Sequence, residues 1–91
     1  MNAFAGEVAK VVRAIPKGKV LSYAQVALRA NKPGAARAVV QALHVLTDVP
    51  WWRVLRSDGT IAPQMVSKQA PRLKREGVKI EGRRVPKSAR L

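Results

Sequence analysis

Val49-Pro50-Trp51-Trp52-Arg53-Val54 holds both tryptophans of a chain that otherwise contains one tyrosine and one phenylalanine. Proline lacks the N–H that a β ladder needs, so a proline before aromatic and β-branched residues predicts the first residue of a short strand. Neighbouring side chains of a strand point to opposite faces. We therefore expect one of Trp51 and Trp52 to cover the core and the other to line a surface or pocket. The alternative is that both rings close a small core.

The composition of the 91-residue chain excludes several kinds of chemistry. Without cysteine it has no disulfide, thiolate metal site or cysteine nucleophile, and a single histidine leaves no zinc constellation. The net charge is +13, shared between residues 1–67 and 68–91 as +6 and +7. A polyanion such as nucleic acid explains this imbalance. No N-terminal apolar run resembles a signal peptide or a membrane span, which predicts a cytoplasmic protein without a membrane partner.

Apolar periodicity and helix-end signals predict one mainly helical domain over residues 1–91. Ser22 and Gln25 fit a capping box, Pro33 and Pro71 suit the first turns of helices, and Ser67 with Gly77 would begin and end the last one. The expected helices cover about residues 3 to 15, Tyr23 to Ala30, Gly34 to Leu46 and Lys68 to Glu76.

Short β hairpins and a tail complete the expected fold. The first hairpin covers 54–61 and turns at Asp58-Gly59, the second covers 78–85 around Glu81-Gly82, and 86–91 form a loose tail. The second and third helices make a helix-turn-helix candidate beside which the first hairpin would be a wing. The predicted fold class is therefore mainly α with short β hairpins, a winged helix-turn-helix DNA-binding domain.

The run Gly34-Ala35-Ala36-Arg37-Ala38 sharpens that prediction. Its small side chains would let a helix backbone lie close to a nucleic acid, with Arg37 projecting from them. The alternative is a tightly packed core helix that extends a lone arginine to solvent.

Five spaced motifs carry a family resemblance over nearly the whole chain. Their order resembles the C-terminal domain of alkylguanine-DNA alkyltransferases. The motifs are Lys19-Val20-Leu21-Ser22-Tyr23, Pro33-Gly34-Ala35-Ala36-Arg37-Ala38-Val39, Pro50-Trp51-Trp52-Arg53-Val54, Ser57-Asp58-Gly59 and Glu76-Gly77-Val78.

The chain departs from those enzymes at the reacting residues. Trp51 stands at the position of the cysteine that accepts the alkyl group, and Trp52 at that of the histidine that activates it, while Glu76 still matches the supporting glutamate. Tryptophan in place of the cysteine marks the alkyltransferase-like proteins, which resemble the enzymes in fold and lesion recognition but transfer nothing. Because an indole accepts no proton, Glu76 is expected to have nothing to orient. Val40-Gln41 replaces the Gly-Gly of the enzymes, and the segment from Arg37 to Trp51 is shorter.

The resemblance implies minor-groove binding and flipping of an O-alkylated guanine out of the duplex. Arg37 would fill the vacated place, Tyr23 would turn the nucleotide, and Trp51 would stack on the flipped base. DNA contacts are expected from Ser22, Tyr23, Lys32, Gly34, Ala36, Arg37 and Ser57. The alkylguanine pocket is expected from Tyr23, Trp51, Val54, Ile61, Ala62 and Pro63.

The resemblance further implies a monomeric, nucleoid-associated protein that needs no cofactor or metal and marks lesions in double-stranded DNA for nucleotide excision repair proteins. Trp52 is expected in the core and Arg53 in a structural pair, and His44 receives no role. Two alternatives remain from the residues themselves. One is a winged-helix transcriptional regulator or nucleoid-associated DNA binder without lesion preference. The other, an active transferase or hydrolase, is disfavoured because the chain has no cysteine and no metal set.

Overall fold

The computed structural model describes residues 3–91, a mainly helical domain with a small parallel sheet. The α-helices in it are α1 (Ala3–Arg13), α2 (Tyr23–Arg29), α3 (Ala36–Val45) and α4 (Val66–Arg75). The strands are β1 (Leu21–Ser22) and β2 (Val54–Leu55). Short 3₁₀ turns cover Trp51–Arg53, Pro63–Met65 and Lys87–Ala89.

Helix α1 presents its apolar stripe to the first of two cores. Val8 and Val12 are fully buried there, as is Ile15 just beyond the helix. The helix ends at Arg13 rather than near residue 15, because the next turn tightens: the Ile15 N–H donates to the Val12 carbonyl at 3.1 Å before Pro16 stops the ladder.

Helices α2 and α3 pack against each other and against α1, as a helix-turn-helix requires. The predicted capping box is confirmed, since Ser22 Oγ accepts from the Gln25 N–H at 3.1 Å and Gln25 Oε1 accepts from the Ser22 N–H at 3.3 Å. The predicted start of α3 at Gly34 is wrong. Gly34 has φ +84°, a left-handed conformation that a helix cannot use, so α3 begins at Ala36 and Pro33 lies in the preceding turn.

The Trp51–Arg53 segment is a 3₁₀ turn and not the predicted strand. The Arg53 N–H donates to the Pro50 carbonyl at 3.0 Å, which closes this turn. Only afterwards does the chain extend into β2, which pairs in parallel with β1 in the register Leu21 to Val54. The strand alternation expected to separate the two indoles is therefore absent.

The first predicted hairpin is reduced to its turn. Gly59 has φ +84° and its N–H donates to the Arg56 carbonyl at 2.9 Å, so the chain does turn at Asp58-Gly59. However, β2 pairs with β1, and the segment after the turn pairs with 83–85 instead. The second predicted hairpin is likewise a tight turn, closed between Glu81 and Arg84.

The predicted loose tail at 86–91 is wrong. The Val20 N–H donates to the Ala89 carbonyl at 2.8 Å, and the Leu91 N–H donates to the Val20 carbonyl at 3.0 Å. The tail therefore lies parallel to the chain entering β1. Val85 and Ala89 are buried in the second core, and this burial offsets the entropy of ordering the segment.

Helix α4 starts earlier than predicted, at Val66, and no side chain caps it, so Ser67 lies inside the helix. Pro71 is inside the helix too, rather than in its first turn. The predicted end is confirmed: Gly77 has φ +91°, and the Gly77 and Val78 N–H groups close a Schellman motif. The helix packs on the second core through Leu73, which is fully buried. Among residues 3–91, no helix has both the length and the apolar character needed to cross a bilayer.

Candidate nucleic-acid interface

The two indoles meet edge to face at the junction of the two cores. Their ring centroids are 6.0 Å apart at an interplanar angle of 84°. Trp51 packs against the first core and Trp52 against the second, and each ring is half-buried. From α4, the guanidinium of Arg72 lies 5.4 Å from the Trp51 centroid and 5.7 Å from the Trp52 centroid. A cation at this distance from two rings favours their fixed orientation.

Glu76 holds the tryptophan segment through hydrogen bonds to Trp52 and Arg53. Its Oε2 accepts from the Trp52 Nε1–H at 2.8 Å and from Arg53 Nη2 at 2.9 Å, and its Oε1 accepts from the Gly18 N–H at 2.9 Å. Burial, which leaves the side chain 7% exposed, opposes its ionisation. The donors from Arg53, Gly18 and Trp52 outweigh burial and lower the pKa of Glu76 to about 2. The expectation that Glu76 has nothing to orient is therefore wrong: it orients Trp52.

Two further polar side chains hold the tryptophan turn in place. Arg53 donates from Nη1 to the Ile15 carbonyl at 2.8 Å, so with its Glu76 pair it confirms the predicted structural role. Gln69, which is 2% exposed, donates from Nε2 to the carbonyls of Trp52 at 2.9 Å and Val54 at 2.8 Å. The first of these bonds satisfies a carbonyl of the turn and the second one of β2, so Gln69 helps to hold the turn beside the strand.

A cavity of about 580 Å³ opens beside the pair, lined by both indoles, by 46–50 and by Arg13 and Arg53. Of the other predicted pocket residues, Val54 and Ile61 are fully buried, one in each core. Ala62 is half-buried and Pro63 exposed, and neither lines this cavity. The structure thus brings Trp51 to an open cavity but not the rest of the expected pocket, whose contact with a flipped base stays a prediction.

The helix-turn-helix presents Tyr23 and Arg37 differently. Tyr23 begins α2 and packs, half-buried, against the same core as Trp51, and burial raises the pKa of its phenol. Arg37 is exposed in the first turn of α3, and no side-chain hydrogen bond or ion pair holds it within residues 3–91. Half-buried Ala36 and exposed Gly34 flank it without bulk. The Arg37 side chain is therefore available for contacts outside the described chain.

The remaining predicted DNA contacts lie apart from the tryptophan pair. Lys32 is exposed, with its Nζ 5.5 Å from the ring centroid of Phe4. Ser22 and Ser57 line one cavity of about 230 Å³. His44 is exposed in the last turn of α3 and no described contact gives it a role. Within the described part of the chain, no group of three or more His, Cys, Asp or Glu side chains converges on a metal position.

Sequence reasoning missed Arg72 and Gln69, although α4 carried a signal for one of them. Arg72 lies one helical turn before Glu76, at i and i+4, so both face the same neighbour. Since the glutamate was already matched to the tryptophan segment, this spacing was the signal that could have placed Arg72 there as well. Gln69 had no such signal, because a glutamine on a predicted helix is usually solvated.

The family description "6-O-methylguanine DNA methyltransferase, DNA binding domain" matches residues 3–83. The chain belongs to this family. Within it, alkyltransferase-like protein 1 of Schizosaccharomyces pombe is 42% identical over 87 residues, a match that covers 88% of this chain and 81% of the relative. The DNA base-flipping protein of Vibrio parahaemolyticus is 36% identical, over 88% of this chain and 85% of the relative. The resemblance drawn from the five motifs is confirmed.

Solved structures of the family agree with the fold. The S. pombe protein Atl1, in complex with damaged DNA containing O6-carboxymethylguanine, superposes with a TM-score of 0.82 at 40% identity, covering 89% of this chain and 82% of that one. The O6-methylguanine methyltransferase of Mycobacterium tuberculosis superposes with a TM-score of 0.74 at 28% identity, and this chain spans 53% of its length. The predicted winged helix-turn-helix class is confirmed, although its hairpins are shorter than expected.

Proposed function

We propose that this protein recognises O-alkylated guanine in duplex DNA without transferring the alkyl group. The observation that carries the proposal is Trp51, which stands where the family's enzymes have their acceptor cysteine and lines an open cavity. An indole offers a stacking surface worth about 1–3 kcal/mol per base. It offers no nucleophile, so the position serves binding rather than chemistry.

The groups around Trp51 support the non-enzymatic assignment. The neighbouring Trp52 donates its only polar hydrogen to Glu76 and accepts no proton, so no base stands beside the reacting position. Glu76 is already saturated by its donors and is held ionised with a pKa of about 2. A carboxylate with so low a pKa is a poor general base near neutral pH.

The helix-turn-helix supports entry through the minor groove with the target nucleotide flipped outward. Extruding a base costs a few kcal/mol, least for a damaged and weakly paired one. Arg37 is exposed and unpaired among the described residues, and small residues surround it. Its planar guanidinium is suited to fill the gap and to bond the orphaned base. Tyr23 shares the core that holds Trp51 and would steer the nucleotide toward it.

We assign the downstream step to other proteins. A monomeric binder that leaves the lesion chemically unchanged repairs nothing by itself, so the bound and distorted duplex would be the signal for nucleotide excision repair. The lesion-binding part of this scheme is supported by the S. pombe relative Atl1, which forms a complex with damaged DNA containing O6-carboxymethylguanine, and the flipping by the similarity to the DNA base-flipping protein of V. parahaemolyticus. A nucleoid-associated location follows from the DNA partner.

The deciding experiment compares two duplexes of one sequence that differ only by a single O6-methylguanine. Fluorescence anisotropy at constant salt gives both affinities, and competition with unlabelled duplex checks them. We expect tighter binding of the methylated duplex. Equal affinities would instead support the regulator or nucleoid-binder alternative, which shares the charge and the helices but has no lesion preference.

A further inference from the structure

The C-terminal segment reaches the face of the protein that carries the two serines predicted to contact DNA. Hydrogen bonds between Val20 and the segment 89–91 hold it beside β1, and the β1–β2 pairing sets Ser22 opposite Leu55. As a result Arg90 lines the same cavity of about 230 Å³ as Ser22, Arg56 and Ser57. The family match ends at residue 83, so Arg90 lies outside the part of the chain that it covers.

The guanidinium of Arg90 is positioned but incompletely satisfied. Its Nε is buried and has no hydrogen-bond partner in the described chain. The one bond that it makes there is a long one of 3.4 Å from Nη2 to the Val85 carbonyl. The absence of a side chain at Gly59 admits the group, since a Cβ added there would collide with it. No carboxylate within residues 3–91 pairs with Arg90. With one long bond and no carboxylate partner, the guanidinium keeps terminal N–H donors available for an acceptor in the cavity.

The other polar groups of the cavity are suited to an anion. Ser22 Oγ accepts from the Gln25 N–H, so its own hydrogen can still be donated. Ser57 is exposed and makes no side-chain hydrogen bond to another described residue. Asp58 lies 3.9 Å from Arg56 in an exposed pair and accepts two bonds from Thr60. Such an exposed pair is weak.

We infer that Arg90 and Arg56, with the hydroxyls of Ser22 and Ser57, form a binding site for a phosphate of the DNA backbone. A phosphate supplies the paired acceptors that an arginine edge binds well. The site adjoins the start of α2, and α2 packs on the helix that carries Arg37. The C-terminal segment thereby becomes part of the DNA-binding surface. This inference rests on duplex binding, as the proposed function does, but not on lesion preference.

The test is the salt dependence of duplex binding by Arg90→Ala. Removing one phosphate interaction reduces the slope of log affinity against log salt by about 0.9. We expect this reduction on undamaged and methylated duplexes alike, with the ratio of the two affinities unchanged. Arg90→Lys should keep the slope, because it retains the charge. Lys79→Ala is the matched control: it removes one exposed charge that does not line the cavity, and should keep the wild-type slope.

Arg56→Ala tests the same site if Arg90→Ala releases the C-terminal segment from the domain. Arg56 lies outside that segment, and its removal should lower the slope in the same way. Thermal unfolding of each variant monitors the fold. Either of two results overturns the proposal. One is an Arg56→Ala slope equal to the Lys79→Ala slope, and the other is a folded Arg90→Ala protein whose slope equals the Lys79→Ala slope. A wild-type protein that fails to prefer methylated duplex would refute the proposed function instead, while the slopes on undamaged duplex would still decide this site.

Discussion

The indole N–H of Trp52 donates to Glu76 Oε2 at 2.8 Å, and these are the two positions that the family resemblance matched to the histidine and glutamate of the enzymes. The pairing preserves a hydrogen bond while removing a base, because an indole donates but accepts no proton. Arg53 and Gly18 hold the same carboxylate from other directions. The carboxylate of Glu76 therefore keeps its polar partners although the side chain at position 52 is an indole.

Glu76→Gln tests the stabilising role of that carboxylate. Its folded pKa of about 2 lies below the ordinary 4.5, so its contribution is complete above pH 4.5 and is lost as the pH falls toward 2. The shift corresponds to about 3 kcal/mol at neutral pH. We expect the variant to lose roughly that much in urea unfolding at pH 7, and the two proteins to converge in stability near pH 2. Glu7→Gln, which breaks only an exposed 3.9 Å pair with Lys10, is the control and should change little. A variant that stays equally destabilised at both pH values would contradict the linkage.

We expect the tryptophan pair to divide into a ring that binds DNA, Trp51, and a ring that supports the fold, Trp52. Both indoles line the open cavity, but of the two only Trp52 donates to Glu76, so Trp51→Ala should weaken methylated-duplex binding by more than it lowers stability. Trp52→Phe keeps an aromatic ring but removes the donor to Glu76, and should cost about 1.5–3 kcal/mol of stability, as expected of a bond to a charged group. Anisotropy titrations and urea unfolding of both variants separate the effects. Equal stability losses without any change in binding would place both rings in the core alone.

Arg37→Ala examines the gap-filling role. If the guanidinium replaces the flipped base, most of the preference for methylated duplex should disappear while salt-sensitive binding of undamaged duplex largely persists. Arg29→Ala, which removes an exposed charge from the last turn of α2, serves as the control. Titration of each variant with both duplexes measures the ratio. Equal weakening on both duplexes by Arg37→Ala would reduce the residue to an ordinary phosphate contact.

Local signals in the sequence predicted two helix ends correctly, although Ser67 and Pro71 did not mark the start of α4. The Ser22 and Gln25 capping box depends on four consecutive residues, and Gly77 ends α4 through bonds within a few residues, so both were readable from the chain alone. The two neighbouring helix patterns supplied the helix-turn-helix candidate, and the family resemblance supplied a role for Trp51 that stays a prediction. Each of these predictions needed no knowledge of distant contacts.

The errors at the tryptophan segment and at the C-terminal segment arose where distant residues decide the conformation. The tryptophan turn is held by Gln69, whose amide takes the carbonyls of Trp52 and Val54 from 17 and 15 residues away. The segment 86–91 is ordered by pairing with Val20, far along the chain. Periodicity in the sequence identifies neither Gln69 nor Val20 as a partner, because a single polar contact or an isolated bridge produces no repeating pattern. Because residues 86–91 were predicted to be a loose tail, Arg90 was given no role.

The last prediction concerns whether catalysis can be restored. The native, cysteine-free protein should carry no label after incubation with duplex that contains O6-[³H-methyl]guanine. Trp51→Cys should transfer slowly at most, because a thiol with an ordinary pKa near 8.5 is only a few per cent ionised at neutral pH. Adding Trp52→His places a base where Glu76 is already held by Arg53 and Gly18, and should accelerate transfer by about 10²–10⁴-fold. The matched control is Trp51→Cys with Trp52→Phe, which fills the site with a ring that cannot take a proton. Equal rates for the histidine and phenylalanine versions would show that Glu76 does not orient a base, and label on the native chain would refute the non-enzymatic assignment.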